Sequence, residues 1–152
     1  MISVHLFRYK NNDLEFLMIK RATLSYNWQC VTGALKKGES PLECARREIF
    51  EETGYNPALI TPISFPQEHY AEKEGQGDVW PPQELQKRIK DLKVYHFIAR
   101  IDQRKDPILN PAEHTDWKWC SFETAYEIIQ WDVEKKTIRY VYNHLIKNPL
   151  KE

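Results

Sequence analysis

Glycine is scarce in this chain of 152 residues: there are five, and three of them, Gly33, Gly38 and Gly54, fall within one 22-residue stretch. Cysteine is scarcer still. Cys30, Cys44 and Cys120 are an odd number with no CxxC spacing, which argues against both a disulfide framework and a zinc site. They read as buried or idle thiols in a reducing compartment, and a cytoplasmic location is the expectation. Long apolar runs are missing too. The longest, Phe16 to Ile19, is far short of the roughly 18 residues a membrane-spanning helix needs. The opening stretch from Met1 to Tyr9 alternates like a strand and lacks the basic region, apolar core and cleavage site of an export signal. Neither sign of charge is in excess: 22 Lys and Arg balance 22 Asp and Glu. No general attraction to nucleic acid or to an anionic membrane follows, and neither is expected as a partner. What is present is 41% hydrophobic, 29% charged and 12% aromatic, enough to bury a core. The length suits one domain, read as residues 1–152.

Along the chain, Val4, Leu6 and Arg8 alternate with His5, Phe7 and Tyr9, and Leu14 to Ile19 follows Asn11-Asn12-Asp13. This predicts two strands joined by a turn. Ser40-Pro41 ahead of Leu42, Ala45, Ile49 and Phe50 predicts a helix capped by Ser40, with proline in its first turn and Gly54 at its end. Leu59 to Phe65 and Val94 to Ile101 read as strands. Between them, Pro66 to Pro82 reads as a long loop and Glu84 to Lys90 as a short basic helix. Trp117-Lys118-Trp119 alternates into another strand, Ser121 caps a helix running through Ile129, and Val133 to Ile146 has helical spacing. No repeat is visible, so a mixed sheet covered by helices on both sides is the expected architecture.

The chemistry-bearing residues cluster on the helix after Pro41. Glu48, Glu51 and Glu52 stand at i, i+3 and i+4, on one face. Their mutual repulsion costs only about 0.2–0.5 kcal/mol per pair, and Glu43–Arg47 and Arg47–Glu51 are favourable i,i+4 pairs. Spacing alone therefore fits a solvated, ion-paired face. It fits equally a set of converging carboxylates that hold a hard divalent cation.

The string from Gly33 to Tyr55 decides between them. It resembles the Nudix box, G-x5-E-x7-R-E-U-x-E-E-x-G-U with U a bulky apolar residue: Gly33, Glu39, Arg47, Glu48, Glu51, Glu52 and Gly54 match the seven fixed positions, with Ile49 and Tyr55 at the U positions. The resemblance implies an α/β fold, the Nudix-type α/β/α sandwich with a mixed β-sheet, and a box spanning residues 33–55. It also implies Mg²⁺, with Mn²⁺ as the alternative, bound around a diphosphate for attack by water at phosphorus. That suits the residues, because a polyanionic anhydride needs its phosphate oxygens neutralised before hydrolysis. Carried over by position, Glu48, Glu51 and Glu52 are the helix ligands and Arg47 orients a carboxylate of the box. Gly33 and Gly38 allow unusual backbone, with the Gly33 carbonyl a further metal ligand, and Glu39 braces the loop.

Beyond the box, Glu113-His114-Thr115-Asp116-Trp117-Lys118-Trp119 resembles the E-H-x-x-aromatic-x-W segment of several Nudix hydrolases, which makes Glu113 a candidate ligand or base. His114 is read as a hydrogen-bonded structural residue and kept out of the catalytic set. Of the residues bordering the box, Arg21, Lys36 and Trp28 are the candidates for contacting substrate, the cations through phosphate and Trp28 by stacking. Trp28-Gln29 with Glu113-His114 and Lys118-Trp119 looks most like the dihydroneopterin triphosphate and dATP pyrophosphohydrolases, which release monophosphate and pyrophosphate. A diadenosine-tetraphosphate-type hydrolase is the alternative, with Tyr70 downstream of the box in its favour. A non-catalytic nucleotide-binding module is the alternative of another class. The expected partner is a small nucleotide or pterin triphosphate, and the loop at 66–82 is expected to close over it.

Overall fold

A computed structural model describes residues 1–23, 27–65 and 94–150. The loop expected at 66–82, the basic helix expected at 84–90 and Tyr70 lie outside the described residues. Strands β1 (Ile2–Lys10) and β2 (Asp13–Arg21) form an antiparallel hairpin that closes at Lys10↔Asp13. Asn11 and Asn12 carry φ of 52° and 68°. Two successive left-handed residues make the tight turn whose twist matches the flanking strands, and asparagine tolerates that conformation better than most side chains.

Two short strands, β3 (Trp28–Gln29) and β4 (Val31–Gly33), pair with β2 and β1. Helix α1 (Pro41–Thr53) follows, then β5 (Ile60–Ile63) and β6 (Tyr95–Arg100). β6 runs parallel to β1 and β5 antiparallel to β6. β7 (His114–Cys120) pairs antiparallel with β2, and helices α2 (Phe122–Ile128) and α3 (Asp132–Lys147) complete the described fold. The seven described strands make one mixed sheet.

Alternation along β2 assigns the layers. Leu17 and Ile19 join Ile2, Val4, Leu6 and the α1 residues Ala45 and Ile49 in one apolar cluster. Phe16 and Met18 join Phe7 and the helical residues Ala125, Ile138, Val141 and Leu145 in the other. The continuous run Phe16 to Ile19 is thus a strand covered on both faces. With α1 on one side of the sheet and α2 and α3 on the other, the fold is an α/β/α sandwich. Among the described residues, no helix is long and apolar enough to cross a membrane. All three cysteines are free and buried.

The ends of α1 follow from local chemistry. Ser40 Oγ accepts from the Glu43 amide at 3.1 Å, Pro41 sits where no amide is needed, and Gly54 takes φ 75° while its N–H reaches the Phe50 carbonyl. The apolar face differs from expectation: Leu42 and Phe50 are exposed, and Glu52 occupies the core-facing row with Ala45 and Ile49. Beyond the helix, Tyr55 is fully buried and its hydroxyl donates to the Lys105 carbonyl at 2.6 Å. Tyr55→Phe should cost about 1 kcal/mol by chemical denaturation without altering the denaturant slope.

Candidate active site

One end of the sheet holds the acidic residues in a cleft of about 480 Å³ whose walls include Arg21, Gln29, Gly33, Glu48, Glu52, Glu113 and His114. They arrive on several supports. Glu48 and Glu52 lie one helical turn apart on α1, while Gly33 ends β4 opposite Ile2 of β1. A register shift in β2 between Lys20 and Arg21 brings Arg21 opposite His114. The Ala22 amide then binds the Glu113 carbonyl at 2.8 Å, tying the Glu113 loop to the end of β2.

Arg47 organises the loop before α1. Its Nε and Nη2 donate to the two Glu39 oxygens at 2.7 and 2.9 Å, Nη1 reaches Glu48 at 2.7 Å and Glu51 at 3.1 Å, and Nη2 also meets the Ala34 carbonyl. The forked guanidinium suits a bidentate carboxylate partner. Hydrogen bonds from Arg47 and from the Lys36 amide hold the Glu39 carboxyl at about 2, well below the usual carboxylate range. Glu39 thus braces the loop, as expected. The Arg47–Glu51 pair forms, whereas the described bonds of Arg47 go to Glu39 and Glu48 instead of Glu43.

Gly33 is required for a reason other than backbone freedom. Positive φ is found at Gly38 and Gly54 and not at Gly33. A Cβ at Gly33 would collide with the Glu48 side chain, which lies directly over the glycine. Gly33→Ala should therefore push the Glu48 carboxylate aside: kcat/KM should fall by roughly 10–100-fold, as when a metal ligand loses its support. The melting temperature should change little, because the colliding atoms end a flexible side chain.

Glu52 is the unusual group. It is 2% exposed, its Oε2 has no hydrogen-bond partner among the described residues, and Oε1 stands 3.6 Å from His114 Nε2. Burial and the facing Glu48 and Glu113 carboxylates push its carboxyl up to about 9, against a weaker downward pull from the Thr32 backbone. A carboxyl so placed either keeps its proton or takes a cation partner. Oxygens of Glu52 and Glu113 and a ring nitrogen of His114 lie within 4.8 Å of one another. The orphaned oxygen and this donor set fit a divalent cation.

Of the other residues singled out in the sequence, Arg21 and Glu113 reach the cleft. Glu51 is half-exposed and tethered to Arg47, and is not among the residues lining the cleft. Trp28 packs on the α2–α3 side with the Lys118 ammonium over its ring, and Lys36 is exposed in the loop; neither lines the cleft. His114, expected as a hydrogen-bonded structural residue, is 3% exposed, contacts Gln29 at 3.1 Å and also faces Glu52. A lone histidine carries no spacing signal, and only the pairing of β7 with β2 reveals its position.

A family profile for the NUDIX domain matches residues 1–141. The asymmetrical bis(5'-nucleosyl)-tetraphosphatase of Mus musculus is 26% identical over 141 residues, 91% of this chain and 86% of that protein. An RNA pyrophosphohydrolase of Bartonella bacilliformis is 31% identical over 121 residues, 71% of this chain and 65% of that protein. Among solved structures, a C. elegans Ap4A hydrolase binary complex superposes with a TM-score of 0.70 at 20% identity, covering 96% of this chain and 98% of that one.

Proposed function

The chain belongs to the NUDIX family and hydrolyses phosphoanhydride bonds of nucleotides, and on that premise we propose that Mg²⁺, or Mn²⁺ in its place, is held by Glu48, Glu52 and Glu113. Glu51 and the Gly33 carbonyl complete the proposed ligand set. The single observation that carries this reading is the buried Glu52 Oε2, without a hydrogen-bond partner among the described residues, on a side chain beside two further carboxylates. When bound, the cation neutralises phosphate oxygens and lowers the pKa of water. Arg21, on the cleft wall beside Glu113, meets the negative charge of the phosphate chain. Arg47 acts as a positioning residue, fixing Glu48 from one side while Glu39 fixes Arg47 from the other.

The substrate is a nucleoside or pterin polyphosphate. A dinucleoside tetraphosphate is favoured by the tetraphosphatase relative, whose similarity runs across 91% of the chain. The second reading, a dihydroneopterin or deoxynucleoside triphosphate split to monophosphate and pyrophosphate, is favoured by the Trp28-Gln29 and Glu113-His114 segments, since Gln29 and His114 meet in the cleft. Residues 1–152 work as one domain, in a cytoplasmic setting consistent with three free thiols. Product identification after incubation with Mg²⁺ and a panel of these substrates tests the reading. ATP plus AMP from diadenosine tetraphosphate supports the first, and monophosphate plus pyrophosphate from a triphosphate the second. No product from any phosphoanhydride would refute both.

A further inference from the structure

We infer that His114 is itself a ligand of the bound cation, so that the cleft presents an imidazole nitrogen beside its carboxylates and favours Co²⁺- or Zn²⁺-class ions over Mg²⁺. The inference rests on the cation site proposed above and goes beyond it in the nature of the donors. The 3.6 Å between His114 Nε2 and Glu52 Oε1 is too long for a hydrogen bond. Two donors each about 2.1 Å from one shared ion lie roughly 3.0–3.5 Å apart, which this separation approaches. Both side chains are more than nine-tenths buried, and both carry a second polar atom, Glu52 Oε2 and His114 Nδ1, with no hydrogen-bond partner among the described residues.

A hydrogen-bonded structural histidine would have its ring nitrogens satisfied. Here Nε2 has one neighbour within hydrogen-bonding distance, the Gln29 amide at 3.1 Å, on a strand that pairs with the other side of β2. That amide nitrogen donates to the Nε2 lone pair and holds the ring with Nε2 toward the Glu52 carboxylate, so coordination through Nε2 would displace this one hydrogen bond. Glu113 precedes His114 in the chain and supplies the third donor within the same 4.8 Å cluster. Two carboxylates and an imidazole suit borderline transition ions, whereas Mg²⁺ is served by oxygen ligands alone.

The test is pulsed EPR of the Mn²⁺-loaded chain, with and without ¹⁵N-labelled histidine, together with Co²⁺ and Mg²⁺ titrations of the wild type and His114→Gln. The expected results are a nitrogen coupling that changes on labelling and disappears in His114→Gln, and a Co²⁺ affinity at least tenfold weaker in the variant with Mg²⁺ affinity within about twofold. Should the variant fail to fold, the labelled wild type alone decides. Bound Mn²⁺ without nitrogen coupling, or equal loss of both metals, would overturn the inference and leave the proposed cation site standing. Failure of the wild type to bind any of the three ions would overturn both.

Discussion

Glu52→Gln should lower kcat by roughly 10³-fold at saturating Mg²⁺, because a neutral amide removes several kcal/mol of metal-borne stabilisation from the transition state. The fold should survive and gain stability in the absence of metal. The ordinary carboxyl value is 4.5 and the folded one about 9. Between those two pH values the native carboxyl keeps a proton that the unfolded chain has released. Its contribution to stability is therefore complete below about 4.5 and declines as pH rises toward 9. Melting curves of metal-free protein should show the wild type losing several degrees relative to Glu52→Gln between pH 5 and pH 9. Added Mg²⁺ should recover that loss in the wild type alone. Unchanged turnover, or parallel melting profiles in the two proteins, would remove Glu52 from its assigned role.

Arg47→Lys should be nearly as damaging to activity as Arg47→Ala. The guanidinium serves Glu39 through two nitrogens while also holding Glu48 and Glu51, and an ammonium cannot reproduce that fork. Both variants should lose roughly 10–100-fold in kcat/KM, the usual cost of losing a group that orients metal ligands. Because the loss acts through Glu48, raising the Mg²⁺ concentration should restore part of it. A purely structural role would lower the melting temperature with no change in metal dependence. The affinity for Mg²⁺, measured beside kcat, separates the two.

Helix α1 was legible in the sequence to the residue, since serine, proline and glycine at its ends have few other uses in that order. The β1–β2 hairpin was equally clear from paired alternation around two asparagines. β3 and β4 were not, because two or three residues are too few for a period to show and their pairing is set by distant strands. The same divide runs through the site. Glu48, Glu52 and Arg47 follow from fixed positions of one motif. The role of Gly33 follows only from the carboxylate lying over it. The placement of His114 against Glu52, and the withdrawal of Trp28 to the opposite core, depend on how β7 and β3 align on β2. One signal was present and unread: Glu52 continues the buried row of Ala45 and Ile49, so a charged residue stands where the helix should be apolar.

The buried carboxyl of Glu52 is expected to give up a proton to a divalent cation. Isothermal titration of Mg²⁺ into the metal-free chain near pH 7.5, repeated in buffers of different ionisation enthalpy, measures that exchange directly. With the carboxyl at about 9 before metal arrives, close to one proton should leave for each ion bound, and Glu52→Gln should bind weakly and release none. Tight binding without proton release, or identical release from wild type and variant, would contradict it.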